Sequence, residues 1–418
     1  MEYGELSTLY HMDASSERDS NARARLQQRL EAPSSFRLGF EAANGELFIA
    51  SPRELSVLLE TVMRKERKVS RLMSMIPGIA GDEVLRGLVF DEVISSNAIE
   101  NIHSTRRQIE EALRAAPKKG AEEKRFREFA HLYLDMTFQT PDVPQTPEDI
   151  RSIYDRVMSG EPLEDAPDGV LFRAQEVYVT DGVKSVHSGL YPEQAIIDAM
   201  EAMLAMVSSK EIPALYGALA SHYVFEYAHP FYDGNGRTGR YLLSLFLEES
   251  LSKPTALSLS RALAENKGAY YQAFKVTENP LNGGELTFFV TAMMQLILKA
   301  QDELIARLEE GRERYELIAE ACSALEKERD FNQKEMMIIF GLAQQAAFGM
   351  FDDAPVDRVA DLLEVGTQQT RKYLGRLAEA GVVEKTKGRA PVMFALTDQF
   401  KQKAFPFLGT EDAPGDKD

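Results

Sequence analysis

The stretch His229-Pro230-Phe231-Tyr232-Asp233-Gly234-Asn235-Gly236-Arg237-Thr238-Gly239-Arg240 gathers a proton acceptor, a hard oxygen ligand, a glycine-rich turn and two guanidinium groups into twelve residues. Helical patterns flank it, Ala214 to Ala228 before and Thr238 to Glu249 after, so it is a loop feeding a helix N-terminus. A helix start leaves N–H groups unpaired and carries partial positive charge, and Gly234 and Gly236 let the backbone approach a phosphate closely. Arg237 and Arg240 are three apart on one helix face, where their planar forks suit two oxygens of a polyphosphate. Asp233 is a hard ligand for magnesium, and His229 is a candidate general base near neutral pH. Phe231 is expected to anchor the loop in the core.

These residues resemble the signature of the Fic/Doc family, H-x-F-x-[DE]-G-N-G-R-x-x-R, at every defining position. The resemblance runs from about Asp82 to Thr291 and takes in His222 and Glu226 before the loop, and Glu265-Asn266-Lys267 with Tyr270-Tyr271 after it. It implies transfer of AMP from ATP to a Ser, Thr or Tyr hydroxyl of a target protein, self-modification included, with Mg2+ as cofactor and pyrophosphate leaving. By the same resemblance, His229 would deprotonate the hydroxyl, Asp233 would hold the metal, and Asn235 would orient the α-phosphate. Gly234 and Gly236 would supply amides, Arg237 would grip the β-phosphate and Arg240 the γ-phosphate. Such a transfer is mostly positioning and charge neutralisation in line with an attacking oxygen. Tyr271 is expected either beside the nucleotide base or packed in the core. A different nucleotide or phosphodiester donor is the alternative within this family.

Other elements must position the loop. Asn21 to Leu30 reads as a short helix or a mobile arm, and Ser35 to Ala50 alternates around Asn44-Gly45, a hairpin signal. Pro52 to about Ala115 is helical, with Leu55, Leu58, Leu59 and Val62 on one face and a break at Pro77-Gly78. A helical region from about Ala121 is interrupted at Pro141 to Pro147, where Thr146 can cap a helix that Pro147 starts. Val177 and Val179 alternate, Asp181-Gly182 can turn, and Val183 to His187 can return. This hairpin, Val177 to Val186 followed by His187-Ser188-Gly189-Leu190-Tyr191-Pro192, resembles the family's target-positioning flap, with Val186, His187 and Ser188 at its base. Its edge could take a target segment as an added strand, and His187 could equally be structural. Helices resume from Pro192 to about Leu325.

Upstream, Ser96, Glu100 and Asn101 match the family's inhibitory pattern [ST]-x-x-x-E-[GN] on a predicted helix near 93–101. The resemblance implies that Glu100 pairs with Arg240 and takes the place the γ-phosphate needs, a geometrically selective contact. Glu100 could alternatively position a water for AMP removal. The family often forms homodimers that regulate this helix.

After Phe331 the pattern is helix (Gln333 to Leu342), helix (Val356 to Leu363), turn, helix (Thr367 to Ala380), then Val382 to Lys385 and Val392 to Leu396 around a tip. The order is similar to a winged helix-turn-helix, with Gln368, Gln369, Arg371, Lys372 and Arg376 on the expected recognition helix. Residues 356–403 carry nine basic and six acidic side chains, about +3, within a chain of 48 basic and 66 acidic residues at −18. The acidic whole opposes non-specific attraction to nucleic acid, so any DNA contact must be local, and protein docking is the other use of such a module. The rival reading of the whole chain is therefore a DNA-binding regulator.

At 418 residues the expected layout is an N-terminal region 1–80, a Fic domain 81–325, a winged-helix domain 331–404 and an acidic tail 405–418. The fold class is mainly α, a Fic-type helical bundle with a β-hairpin flap. The single cysteine, Cys322, excludes intramolecular disulfides and cysteine zinc sites. No secretory signal and no membrane-length apolar run is visible, so the expected address is cytoplasmic.

Overall fold

The computed structural model describes residues 3–114, 125–162, 165–180, 185–328, 331–388 and 391–409. These are mainly helical, with small antiparallel sheets of two, two and three strands. Clustering of contacts gives two compact units, Met1–Lys68 with Leu88–Leu304, and Val69–Gly87 with Ile305–Asp418. These limits do not coincide with the boundaries near residues 80 and 325 expected from the sequence.

The first unit opens with α1 (Leu6–Met12) and α2 (Arg18–Leu30). They are built in rather than forming an arm: Leu6 is buried, the Ser7 N–H donates to Asn282 Oδ1 at 2.8 Å, and the Glu285 carboxylate takes Tyr3 Oη at 2.6 Å and Arg29 Nη1 at 2.7 Å. The hairpin of β1 (Ser35–Ala42) and β2 (Gly45–Ala50) pairs Ala42 with Gly45, so the tight turn is Ala43-Asn44. It sits one residue earlier than Asn44-Gly45 because Asn44 Nδ2 donates to the Glu278 carbonyl, while Gly45 at φ 127° lies against the Gly283 carbonyl.

Then come α3 (Arg53–Ser74), α4 (Gly78–Ile99), α5 (Arg106–Arg114), α6 (Arg127–Phe138) and α7 (Pro147–Val157). Thr146 caps α7 in a reciprocal box: Thr146 Oγ1 accepts the Asp149 N–H at 3.3 Å and Asp149 Oδ2 accepts the Thr146 N–H at 3.0 Å. β3 (Tyr178–Thr180) and β4 (Ser185–Ser188) form the second hairpin; its expected turn, Asp181-Gly182, lies outside the described residues.

α8 (Glu193–Ser208), α9 (Ala214–Ala228) and α10 (Asn235–Leu247) follow, with α9 packed against both neighbours. Every residue of α9 from Leu215 to Ala228 is buried except Glu226, the pattern of a helix enclosed on all sides. Shorter helices α11 (Lys253–Ala256), α12 (Leu259–Glu265) and α13 (Lys267–Glu278) lead to α14 (Thr287–Glu328). The limits between the two units fall inside α3, α4 and α14.

The second unit continues with α15 (Gln333–Phe348), β5 (Ala354–Pro355), α16 (Val356–Leu363), α17 (Thr367–Glu379), β6 (Val383–Lys387), β7 (Met393–Leu396) and α18 (Asp398–Ala404). Its sheet runs β5-β7-β6, and Ile338, Leu342, Leu363, Leu374, Leu377 and Leu396 share one core. β5 and α18 carry no sequence signal strong enough to anticipate. Phe405 is fully buried in this core and Phe407 and Leu408 pack on it, so the expected tail of 405–418 begins later. Residues 410–418 lie outside the described residues.

Replacing Thr146 by alanine should lower unfolding stability by about 1 kcal/mol, read as a lower urea midpoint at unchanged slope.

Candidate active site

α9 ends because His229 takes a left-handed conformation, φ 50° and ψ 62°, with its N–H still bonded to the Phe225 carbonyl at 3.0 Å. Pro230 then prevents continuation. Phe231 is fully buried, stacked on Tyr154 with ring centroids 3.6 Å apart and edge-on to Phe172 at 5.5 Å. The anchoring role expected of Phe231 is therefore met by two aromatic contacts.

Asn235 closes the loop. Its Oδ1 accepts the Phe231 N–H at 2.9 Å and its Nδ2 donates to the Phe231 carbonyl at 2.7 Å. One bond at each end of the amide thus clamps the loop, and the second N–H of Nδ2 is left over from this clamp. Gly234 at φ 79° starts α10, and a Cβ there would run into the Met158 thioether. Asp233 is exposed, with Oδ1 accepting the Gly234 N–H at 2.6 Å.

The first turn of α10 is already faced by a carboxylate. Glu100 Oε1 lies 2.9 Å from Arg240 Nη2, and a Cβ on Gly236 would overlap that same oxygen. Arg240 also donates from Nε to Ser96 Oγ and from Nη2 to the Ser96 carbonyl, both at 2.9 Å. Its side chain is 2% exposed and that of Glu100 36%. Burial works against the Arg240 charge, and Glu100, Tyr270 and Glu226 together outweigh it, Glu100 foremost, so the guanidinium pKa is raised.

The end of α4 aims Glu100. The Asn101 N–H bonds the Ala98 carbonyl at 3.2 Å and the Ile102 N–H bonds the Asn97 carbonyl at 2.9 Å, with Asn101 at φ 58°. This is a Schellman closure, and it explains in physical terms why Asn follows Glu here: the position must be left-handed. Lys267 Nζ adds a second clasp, donating to the Ala98 carbonyl at 2.7 Å and the Ile99 carbonyl at 3.2 Å.

Arg237 has its own carboxylate. Its Nη1 is 3.1 Å from Glu161 Oε1, its Nη2 meets Met158 Sδ at 3.1 Å, and Glu161 Oε2 takes Arg125 Nε at 2.8 Å. Met158, Glu161 and the stacked Tyr154 lie on or just past α7, and sequence periodicity gives them no distinguishing mark.

Behind Arg240, burial pushes the Glu226 carboxyl up to about 7, with Arg240 opposing and Glu100 assisting. Burial also pushes Glu92 up to about 7, although it accepts bonds from the Ser260 N–H and hydroxyl. His222 is driven down to about 3 by burial and then by Arg240, and bonds Tyr270 Oη through Nε2 at 2.8 Å. Tyr271 is 45% exposed, so core packing is not its place. In the flap, Tyr178 pairs with Ser188 and Val179 with His187, and Ser188 is exposed; the side chains of Val186 and His187 lie outside the described residues.

Residues 144–247 match the family model described as Fic/DOC family. This segment is similar to a Fic/DOC domain. That segment contains the flap, His229 and both arginines, whereas Glu100, Tyr271 and the second unit's strands lie outside it. A protein adenylyltransferase Fic from Nematostella vectensis is 25% identical over 265 residues, 62% of this chain and 58% of that protein. One from Drosophila willistoni is 30% identical over 159 residues, 38% of this chain and 28% of that protein. The chain thus spans less than two thirds of the length of these curated relatives. Among solved structures, a Fic family protein from Desulfovibrio desulfuricans aligns at TM-score 0.46 and 20% identity over 81% of this chain and 96% of that one. A fragment of Fic-1 from C. elegans aligns at TM-score 0.47 and 19% identity over 73% and 80%.

The Schellman closure makes a specific demand. Asn101→Gly should leave the melting temperature nearly unchanged, whereas Asn101→Val should cost about 1–2 kcal/mol, since a β-branched side chain is strained at positive φ. Equal melting of the two variants would contradict the assignment.

Proposed function

We propose that this protein is an adenylyltransferase that moves AMP from ATP onto a Ser, Thr or Tyr hydroxyl of a protein target and is held off by Glu100. The observation that carries the reading is the carboxylate seated on Arg240 above Gly236: an internal anion marks the seat of an anionic ligand. The loop supplies the rest. His229 takes the proton of the attacking hydroxyl, the hydroxyl oxygen bonds to the α-phosphorus, and the bond from that phosphorus to the α–β bridging oxygen breaks, releasing pyrophosphate.

Arg237 and Arg240 hold the β- and γ-phosphates once Glu161 and Glu100 yield, and the backbone N–H groups of the first turn of α10 receive the α-phosphate side. Tyr271 stands exposed for the base. Asp233, exposed in the loop, would be a protein ligand for the metal. That fits Mg2+, which keeps waters and takes phosphate oxygens, and when bound it would neutralise phosphate charge. No described helix is long and apolar enough to cross a membrane.

We propose further that the second unit is a winged helix whose α17 meets DNA. Gln368, Gln369, Arg371, Lys372 and Arg376 are all exposed on it, while Thr370, Leu374 and Leu377 are buried. Phosphate contacts of this kind are salt-sensitive: Arg371→Ala with Lys372→Ala should weaken binding to a duplex and reduce the salt slope by about 2. An unchanged slope would leave protein docking as the role of this unit.

The transfer reading is tested with α-labelled ATP, Mg2+ and three proteins: parent, Glu100→Gly, and Glu100→Gly with His229→Ala. Intact mass should show added AMP only in the second. Labelled UTP, GTP or CDP-choline in place of ATP checks the donor, and label on Glu100→Gly from one of these alone would replace ATP. No label in any of the three proteins, with a folded chain and tight duplex binding, would favour the regulator.

A further inference from the structure

We propose that Arg173 is a positioning residue that ties the root of the flap to the His229 turn, so that seating a target on the flap and presenting its hydroxyl to the base are one mechanical event. The proposal rests on the transfer reading for its consequence, but its geometry stands on the fold alone.

Arg173 is a fully buried charged side chain, at 0% exposure. Among the described residues its guanidinium donates to backbone carbonyls: Nε to His229 at 2.8 Å, Nη1 to Gln175 at 2.5 Å, and Nη2 to Leu190 at 2.7 Å and to Ala228 at 3.2 Å. Its own N–H donates to the Pro230 carbonyl at 3.1 Å. The four carbonyls come from both sides of the site. Gln175 precedes β3, Leu190 follows β4, and Ala228 and His229 close α9.

The chemistry of this clasp is specific to a guanidinium. The final carbonyls of a helix lack intrahelical partners and carry partial negative charge, so the end of α9 offers what a buried cation needs. Burial lowers the Arg173 pKa from its ordinary value. A lysine ammonium has three donors on a flexible stem and cannot span four carbonyls in a plane. The left-handed His229 turn is the part most in need of support, because a non-glycine residue there is strained. Gly189 completes the joint: its N–H bonds the Val177 carbonyl at 3.1 Å, and a Cβ on it would overlap Arg173 Nη2 and lie 3.0 Å from His229 Cβ. The adjacent Leu190 N–H bonds the Ala228 carbonyl at 3.0 Å.

The test uses the full chain carrying Glu100→Gly, alone and with Arg173→Lys or with Gly189→Ala, which presses on the joint while keeping the arginine. Amide exchange at Gly189 and Leu190 should quicken in both variants, with or without nucleotide. In single-nucleotide kinetics kcat should fall about 100-fold, the size of effect expected from a misplaced base, while KM for ATP stays within about threefold. Guanidinium ion at millimolar levels should restore part of the rate to Arg173→Ala but not to His229→Ala. A proportionate rise in KM for ATP, or loss of the fold in both variants, would overturn the proposal and make Arg173 a core residue only. Absence of transfer in Glu100→Gly alone would instead refute the transfer reading, and the exchange data would still decide the clasp.

Discussion

A guanidinium removed from water must be given compensating partners, a carboxylate or a set of converging oxygens, because the desolvation of an unpaired charge costs more than a folded domain can spare. Arg240 is such a group, and the site is arranged around that requirement. Glu100 and both oxygens of Ser96 meet it in the resting protein. The two carboxyls behind it, Glu92 and Glu226, are pushed up to about 7 by burial and are poor substitutes. On the function proposed above, a nucleotide would enter by exchange, its terminal phosphate bringing the charge that Glu100 takes away. Arg237 repeats the scheme with Glu161, which is in turn held by Arg125.

Three helix ends converge to make this exchange possible. α9 stops at a left-handed His229, α10 starts at a left-handed Gly234, and α4 stops at a left-handed Asn101. Each end leaves backbone groups without intrahelical partners: carbonyls of α9 take Arg173, carbonyls of α4 take Lys267, and the N–H groups at the start of α10 are those assigned to phosphate in the proposed function. The aromatic stack of Phe231 on Tyr154 and the Asn235 clamp fix the loop between the first two.

Much of this was legible because the chemistry is concentrated in sequence. The loop between two helices and the Thr146 cap of α7 follow from local residue types, the pairing of Glu100 with Arg240 follows from the family resemblance, and the structure holds each of them. What escaped depends on distant packing. Arg173 carries no periodic mark, since a charge buried among carbonyls looks in sequence like any solvated arginine. The clamp of the Asn235 amide on the Phe231 backbone is likewise unmarked in sequence. The hairpin turn at Ala43-Asn44 is set by Gly283 and Glu278, more than 200 residues away in sequence, which no window of turn residues contains. Asn21 to Leu30 reads as either a short helix or an arm, and the helix is present; its docking is not legible because the groups that hold the N-terminal helices, Asn282 and Glu285, lie equally far along the chain.

The central claim is that Glu100 stands where a terminal phosphate belongs, and nucleotide affinity reads it directly. Titration calorimetry of ATP and ADP with Mg2+ should give similar affinities for the parent, because the third phosphate finds Arg240 taken. For Glu100→Gly, ATP should bind about tenfold or more tightly than ADP, the worth of one charge-assisted contact to a phosphate. An ATP-to-ADP ratio identical in the two proteins would contradict the account.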